Sequence, residues 1–171
     1  MKIVDTFVTG LYAFKYNNEE FDELTRLIEE WNDIIFLESF FEIHQNDLNY
    51  FKIDVETAKE QTVYEVNQLV DFLHNLSYSN DNLDYIFRPL NDSEYKATTL
   101  SKQKSKKRWL RIYAIKIEPN HYVITGGTIK LTHTMQERLH TQEELLKLEK
   151  CRQYLQSKGI FDLDSFNELD N

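Results

Sequence analysis

Residues 106–132 read KKRWLRIYAIKIEPNHYVITGGTIKLT, and this stretch predicts a β-hairpin at the centre of the fold. Residues 109–117 are rich in β-branched and aromatic side chains with a period near two, which is typical of a strand. Pro119 follows, and it belongs in a turn because proline cannot donate to a β-ladder. Residues 122–131 form the predicted return strand. Its adjacent Gly126 and Gly127 indicate a β-bulge or a close approach of another backbone.

The first strand of the hairpin, residues 109–117, carries apolar side chains on both of its faces. Alternation places Leu110, Ile112 and Ala114 on one face, and Trp109, Arg111, Tyr113, Ile115 and Ile117 on the other. A strand that faces water on one side alternates apolar and polar residues, whereas this one does not. We therefore expect a central strand that is covered on both sides, as in a sheet packed against helices.

The chain before the hairpin predicts short strands and long helices. Residues 3–16 form one strand or two short strands broken at Gly10, and residues 85–88 form another. Apolar residues at helical spacing predict a helix over 19–43, begun by an Asn cap at 17–18 and broken near Asp33. A second helix covers 55–76 behind Asp54, and the polar residues 44–52 predict a loop. The expected fold is α+β, a small antiparallel sheet of about four strands with packed helices.

The chain after the hairpin predicts one more helix and a tail. Thr141 and Glu144 have the spacing of a capping box, with the threonine as N-cap, and the helix then runs to about residue 157. Gly159 stands where a left-handed helix end is expected. Residues 160–171 interleave apolar and acidic side chains. This tail either folds back on the core or docks on a partner.

Length and composition indicate one ordered domain over residues 1–171, because the chain can bury a sizeable core and is rich in Tyr and Phe. No apolar run approaches the roughly 18 residues that span a membrane, and the N-terminus lacks the layout of a signal peptide. Cys151 is the single cysteine, so a disulfide framework is not expected. We therefore expect a cytoplasmic protein without membrane contact. Residues 91–105 lack apolar periodicity and predict an exposed, mobile loop.

Charge is unevenly distributed along the chain, although the formal net charge is −9. Residues 95–136 carry nine lysines and arginines against Glu118 alone, whereas residues 17–94 are strongly acidic. A basic block on the most strand-like region of an acidic chain indicates a local anionic partner. The alternative is that basic strands pair with acidic helices inside one fold.

The basic block also contains aromatic residues, and this combination suits RNA. Cations neutralise phosphates, and aromatic rings stack on bases. The candidate RNA-binding residues are Lys104, Lys106, Lys107, Arg108 and Lys116. The alternative interpretation is a solubilising loop beside core aromatic residues.

No motif predicts a metal site or a cofactor. His121, His133 and His140 lack the spacing of metal ligands, and no cysteine cluster accompanies them. Cys151 falls on or near the buried stripe of the last predicted helix, so we expect a structural thiol and not a nucleophile.

The order of elements and two short patterns resemble the RelE/HigB-type toxin superfamily of bacterial toxin–antitoxin systems. The order is a strand, two helices, and then antiparallel strands that carry arginine and lysine. The patterns are Arg111-Ile112-Tyr113 on one strand, and residues 123–130, an apolar strand that ends in Lys130. The resemblance implies a RelE-like fold and cleavage of mRNA, commonly on the ribosome, without a metal.

Individual roles follow for three candidate catalytic residues. Arg111 and Lys130 are expected to hold the phosphate, because a guanidinium can donate two hydrogen bonds and stabilise developing charge. Tyr113 is expected to stack on a base or transfer a proton, although its ordinary pKa of about 10 must be lowered before it can act as a base. The alternative is that Tyr113 belongs to the core and Arg111 pairs with a helix glutamate.

The leading hypothesis is therefore a toxin component that acts on mRNA or ribosome-associated RNA, an endoribonuclease that needs no cofactor. Such a toxin implies a small antitoxin-like protein partner, which could cover the basic face or the apolar tail. The competing hypothesis is a non-catalytic protein-binding module that holds a partner through its acidic helices or its tail.

Overall fold

The computed structural model describes residues 1–79, 81–89, 97–100, 108–132 and 138–170. The strands are β1 (Lys2–Asp5), β2 (Leu11–Lys15), β3 (Phe87–Pro89), β4 (Ala97–Leu100), β5 (Leu110–Glu118) and β6 (His121–Ile129). The helices are α1 (Glu23–Asn32), α2 (Ile34–Ile43), α3 (Gln45–Phe51), α4 (Val55–Tyr78), α5 (Leu139–Ser157) and α6 (Leu163–Asn167). The α+β class expected from the sequence is confirmed. Within these ranges, no helix is long and apolar enough to cross a membrane.

The sheet is larger than the expected four strands, and it is mixed. The described residues contribute six strands in the order β1-β2-β6-β5-β4-β3. Neighbouring strands run antiparallel, except that β2 and β6 run parallel. The parallel pair is possible because the chain returns to β2 only after a long excursion through α1 to α4 and the other strands.

The central hairpin forms as predicted, and Pro119 and Asn120 connect β5 to β6. Asn120 adopts a φ of 65°, a region that asparagine tolerates better than most residues. Its side-chain oxygen accepts a hydrogen bond from the backbone N–H of Leu83 over 2.7 Å. This bond ties the turn to the segment before β3.

The glycine pair marks a β-bulge, as predicted. Tyr113 pairs with Gly126, whereas the next residue of β5 pairs with Ile124, so Thr125 is the extra residue. Gly127 then continues the ladder towards the end of β6. The bulge separates the half of β6 that pairs with β2 from the half that does not.

Helices cover both faces of the sheet. Leu110, Ile112 and Ala114 of β5 share one core cluster with residues of α1, α2 and α4. Ile115 and Ile117 belong to a second cluster, on the side of α5 and α6. The expectation that this strand is covered on both sides is confirmed.

Aspartates begin four of the described helices, namely α1, α2, α4 and α6, by accepting hydrogen bonds from the backbone N–H groups of the first turn. Asp33 ends α1 and caps α2, so the predicted break in the first helix is confirmed. Asp54 caps α4, as predicted. The predicted start at 17–18 is wrong, because Asn18 adopts a positive φ and Asp22 caps the helix instead.

Two segments that the sequence predicted as loops contain regular structure. Gln45–Phe51 form α3, in which Leu48 is fully buried and Asp47 pairs with Arg138. Ala97–Leu100 form β4 between β3 and β5, so the expected mobile loop over 91–105 is wrong at these positions. The rest of that expected loop lies outside the described residues.

The last long helix begins earlier than predicted. Arg138 is the N-cap of α5, and Thr141 lies inside the first turn. The Thr141 hydroxyl donates to the carbonyl oxygen of Arg138 over 2.7 Å. The predicted capping box is therefore wrong, and Glu144 has a different position, described below.

The tail folds back on the sheet. Gly159 ends α5 with a φ of 70°, as predicted. The N–H of Ile160 donates to the carbonyl oxygen of Leu155 over 3.0 Å, which is the longer-range bond of a Schellman motif. The chain then reverses, and Ile160 and Phe166 are buried in the second core cluster. Of the two alternatives for the tail, folding back is the one observed.

Candidate functional site

Three of the candidate cations lie at the open end of the central hairpin, where β5 begins and β6 ends. The register pairs Arg111 with Thr128, and the N–H of Lys130 donates to the carbonyl oxygen of Trp109 over 2.8 Å. Directly paired residues share a sheet face, and so do residues two apart on one strand. Arg111 and Lys130 therefore lie on one face, a diagonal step apart, and Arg108 precedes β5 at the same end.

Arg111 turns part of its guanidinium back onto its own chain. Its Nη1 donates to the carbonyl oxygens of Leu110 over 2.8 Å and of Arg108 over 3.2 Å. The side chain is half-buried, and burial lowers its pKa. Within the described residues Arg111 forms no ion pair within 4 Å, although the carboxyl of Glu65 on α4 is near enough to act on its pKa in the opposite direction to burial.

Tyr113 lies in the core between the sheet and α5. It is 2% exposed and packs against Leu145 and Leu148. Burial raises the pKa of Tyr113 above its ordinary value, which makes the phenolate less accessible at neutral pH. This position favours the core interpretation of Tyr113 over a role as a base.

Lys116 lies away from the open end. It lies five positions after Arg111 on β5, and an odd step along a strand places the two side chains on opposite faces of the sheet. Its Nζ pairs with Asp84 Oδ1 over 2.8 Å, and the same oxygen accepts a hydrogen bond from the Tyr122 hydroxyl over 2.6 Å. Three further candidates lie outside the described residues, namely Lys104, Lys106 and Lys107.

A buried glutamate anchors the open end to α4. Glu65 accepts hydrogen bonds from the N–H groups of Trp109 and Leu110, each over 3.2 Å. It is 7% exposed, and burial raises the pKa of its carboxyl to about 7. The sequence analysis did not identify this residue. The sequence does contain an indication of its burial. Glu65 precedes the buried Leu69 by four positions, so this acid lies on the apolar stripe of the helix.

A second concentration of charge lies in a cavity of about 480 Å³ between α1 and α5, which we call the α1–α5 cleft. The end of β6 forms part of its lining. Its charged lining comprises Glu19, Glu23, Arg26, Glu30, Glu143, Glu144 and Lys147.

Three acids and two cations form a network inside the α1–α5 cleft. Glu23 is 2% exposed and accepts hydrogen bonds from Arg26 Nε over 2.9 Å and from Lys147 Nζ over 2.6 Å. Arg26 also pairs with Glu30 over 2.6 Å, and Lys147 lies 3.7 Å from Glu144 Oε1. With all members ionised the network carries a net negative charge.

Glu144 is the member of the network whose carboxyl keeps an unsatisfied hydrogen-bond acceptor. Its Oε2 is buried and has no hydrogen-bond partner among the described residues. A Cβ atom at position 126 would overlap this oxygen, so only Gly126 admits the carboxyl there. Burial raises the pKa of Glu144 to about 7. Gly126 and Glu144 each stand out in the sequence, but their contact could not be predicted from it, because α5 and β6 meet only in the folded chain.

Cys151 is a structural thiol, as expected. It is fully buried, and burial raises the pKa of the thiol to about 12. The Tyr16 hydroxyl lies 2.9 Å from its Sγ and donates to the carbonyl oxygen of Thr125 over 2.6 Å. These contacts hold the bulge of β6 against α5.

Two histidines meet beside the cleft. The rings of His44 and His140 lie 4.7 Å apart, and His140 Nε2 donates to the carbonyl oxygen of Ile129 over 2.8 Å. In the part of the chain that the structure describes, no group of three or more His, Cys, Asp and Glu residues could hold a metal ion.

The molecule therefore offers two kinds of recognition chemistry. The open end of the hairpin presents cations that suit phosphate, and the α1–α5 cleft presents carboxylates that suit a cation. Comparison of the chain with protein-family models, curated proteins and solved structures found no match.

Proposed function

We propose that the protein is an RNA-directed toxin component, similar to the RelE/HigB superfamily, that cleaves RNA without a metal. The observation that carries the proposal is the register of β5 and β6, which brings Arg111 and Lys130 to one face at the open end. Arg108 lies at the same end, and Lys102, Lys104, Lys106 and Lys107 precede it closely in the chain. Such a concentration of cations favours RNA, because each neutralised phosphate releases counterions.

Arg111 is the residue proposed to meet the reacting phosphate. In this cleavage the ribose 2′-hydroxyl loses its proton to water and its oxygen bonds to the adjacent phosphorus. The bond to the 5′-oxygen breaks, that oxygen takes a proton from water, and a 2′,3′-cyclic phosphate remains; negative charge builds on the phosphoryl oxygens on the way. Within the described residues, the hydrogen bonds of Arg111 engage Nη1 alone, so its Nη2 and Nε can hold two phosphoryl oxygens. Lys130 adds a second positive charge, and the buried Tyr113 supports the strand.

The order of elements supports the same proposal. An N-terminal strand pair is followed by helices and then by the antiparallel strands β3 to β6. The resemblance to the toxin superfamily rests on the same general succession of strand, helices and antiparallel strands, with one first strand where this chain has two. Four helices stand where the resemblance has two, which makes this chain an extended version of the pattern.

The proposed antitoxin-like partner rests on the basic end alone. The tail directs Ile160 and Phe166 into the core and leaves Phe161 as its exposed large apolar side chain, at 66% exposure. An acidic segment of a partner protein could neutralise Arg111 and Lys130 and thereby compete with RNA.

RNA binding tests this proposal. A labelled single-stranded RNA of mixed sequence is titrated with the wild type and with the double variant Arg111→Ala/Lys130→Ala at several salt concentrations. We expect binding that is at least about 10-fold weaker, and a slope of log K against log salt that is smaller by about 1.4, because each contact contributes about 0.7.

A matched double variant separates specific contacts from overall charge. Lys150→Ala/Lys158→Ala removes two exposed lysines from α5 and its end, and it should bind RNA as the wild type does. Equal losses in the two double variants, or a wild type that binds no RNA, would contradict the proposal.

One observation favours a second function, the non-catalytic protein-binding module. Lys116 pairs with Asp84, while Arg26 and Lys147 pair with glutamates, so these cations are already neutralised within the fold. A protein of this kind would use its acidic surfaces and would bind no RNA. The same RNA titration distinguishes the two functions.

A further inference from the structure

We propose that the α1–α5 cleft binds a cationic, extended segment of a partner protein, which pairs with the outer edge of β6 and places lysine or arginine side chains among the carboxylates of the cleft. The proposal goes beyond RNA binding, because it concerns other residues and a ligand of opposite charge.

The outer edge of β6 lines the cleft at Gly127, Thr128 and Ile129, which are largely buried between the helices. β2 pairs with β6 only at residues 122–124. Among the described strands, none pairs with the outer side of residues 126–129. An unpaired strand edge is a template for pairing with another extended chain.

Gly127 is the place on this edge where a segment can pair. The carbonyl oxygens two positions before and after Gly127 already accept hydrogen bonds from side chains. Tyr16 donates to that of Thr125, and His140 donates to that of Ile129. Alternation along a strand turns the N–H and C=O of Gly127 in the same outward direction. A segment that pairs with β6 can therefore form backbone hydrogen bonds at Gly127 alone, and this fixes its register.

Carboxylates outnumber cations along the groove. The cleft continues over α1 into a cavity of about 560 Å³ that shares Arg26, Glu30 and Phe36 with it. Four exposed acids line the two cavities: Asp33, which caps α2, and three that cap no helix, namely Glu19, Glu29 and Glu143. Among the described residues these three form no ion pair, so a cationic ligand would relieve their mutual repulsion.

The groove also holds aromatic side chains and an unsatisfied acceptor. Phe36 and Phe40 are half-buried in it, and Phe21 is 43% exposed at its far end. Aromatic rings hold the aliphatic stems and the charged heads of lysine and arginine. Glu144 Oε2 is buried and lacks a donor among the described residues, so its carboxyl adds uncompensated negative charge beneath the groove. The length of the groove and its strand edge favour a peptide segment over a free amine.

A defined peptide tests the proposal. The probe is a labelled peptide of alternating lysine and valine, compared with a peptide of alternating glutamate and valine and with spermine. We expect the lysine peptide alone to bind well. The triple variant Glu19→Gln/Glu29→Gln/Glu143→Gln should bind it at least about 10-fold more weakly, which corresponds to about 1.4 kcal/mol spread over three exposed charges.

A control of equal charge shows whether the attraction is local. The triple variant Glu42→Gln/Glu60→Gln/Glu168→Gln removes three exposed acids outside the groove and should bind the lysine peptide as the wild type does. Equal weakening in both triple variants would overturn the proposal, because it would reveal attraction to the overall charge.

Nuclear magnetic resonance locates the bound segment. The amide signal of Gly127, one of only four glycines, should shift on addition of the lysine peptide. No shift at Gly127, or spermine that binds as tightly and shifts the same signal, would overturn pairing with β6. RNA binding is measured on the same samples, and its absence would contradict the RNA proposal without changing the peptide result.

Discussion

Gly127 occupies a position where the present packing admits no side chain. A Cβ atom there would lie 2.6 Å from the carbonyl oxygen of Arg111 and 2.7 Å from Leu27 Cδ1. The first of these atoms belongs to the backbone, so β5 itself would have to move. The sequence predicted a close approach at the glycine pair, but not that α1 makes it, because α1 is distant in the chain.

We therefore expect Gly127→Ala to lower the free energy of unfolding by about 1–3 kcal/mol, the usual effect of overpacking. Urea unfolding measures the change. Gly159→Ala is the contrast, because no atom lies within 4 Å of its added Cβ and its φ of 70° alone should cost about 1–2 kcal/mol. A Gly127→Ala variant as stable as the wild type would show that the close approach is absent.

The candidate site shows what alternation along a strand can and cannot predict. It predicted that Arg111 and Tyr113 share a face, and the register is consistent with this. It could not predict that α5 covers the inner part of this face, where Tyr113 packs against Leu148, while Arg111 at the strand end stays half-exposed. The burial of Tyr113 depends on α5, which follows the hairpin in the chain.

Glu65 makes stability depend on pH in a defined direction. Burial raises the pKa of its carboxyl to about 7, above the ordinary value of the unfolded chain. The folded state therefore holds this proton more tightly than the unfolded state does. The resulting stabilisation is present at low pH and is lost as the pH rises through about 7.

Replacing this carboxyl should remove that part of the pH dependence. Between about pH 5 and pH 8, we expect the free energy of unfolding of Glu65→Gln to fall less than that of the wild type, by on the order of 1–2 kcal/mol. Urea unfolding at both pH values measures the difference. Glu60→Gln, an exposed acid on the same helix, should behave as the wild type. Identical pH dependence in Glu65→Gln and the wild type would contradict the assigned pKa.

At the level of elements, the sequence predicted those strands and helices that are stabilised by residues close together in the chain. The β5–β6 hairpin has its period and its turn within one stretch, and α4 has its apolar stripe and the cap Asp54. By contrast, α3 has seven residues, too few for a stable isolated helix. It depends on Leu48 in the core and on the pairing of Asp47 with Arg138, which the sequence alone does not bring together. β4 likewise takes its hydrogen bonds from β3 and β5.

The ion pair between α3 and α5 is open to a direct test. Asp47→Ala should speed hydrogen exchange within α3 by about 5-fold, because a partly exposed ion pair contributes about 1 kcal/mol or less. Exchange in α4 should stay unchanged. Asp71→Ala, an exposed acid on α4, is the control and should leave α3 protected. Unchanged exchange of α3 in Asp47→Ala would show that Leu48 alone holds the helix.

At the level of the whole molecule, the fold turns a division of charge along the sequence into two neighbouring surfaces. The basic block ends at Lys130, directly after Ile129, which lines the α1–α5 cleft. The acids of the cleft therefore lie near enough to weaken the attraction of the basic end for phosphates. The sequence predicted the basic block and the acidic helices, but their proximity depends on the tertiary packing of α1 and α5 on β6.

This proximity predicts an effect of the cleft on RNA binding. The triple variant Glu19→Gln/Glu29→Gln/Glu143→Gln should bind single-stranded RNA about 2- to 5-fold more tightly than the wild type at low salt, with the gain lost at high salt. Fluorescence titration measures both affinities. Weaker RNA binding by this variant would show that the acids take part in RNA recognition and would contradict the division into two surfaces.

Protein synthesis in a bacterial host tests the central claim, action on RNA through Arg111 and Lys130, most directly. On induction of the wild type, incorporation of labelled methionine should stop and cleaved mRNA should accumulate. Arg111→Ala, at the same level and with an unchanged circular dichroism spectrum, should cleave about 100-fold more slowly, because it lacks the cation at the phosphate. The control Lys150→Ala should act as the wild type does. A wild type that leaves protein synthesis and mRNA intact would contradict the claim.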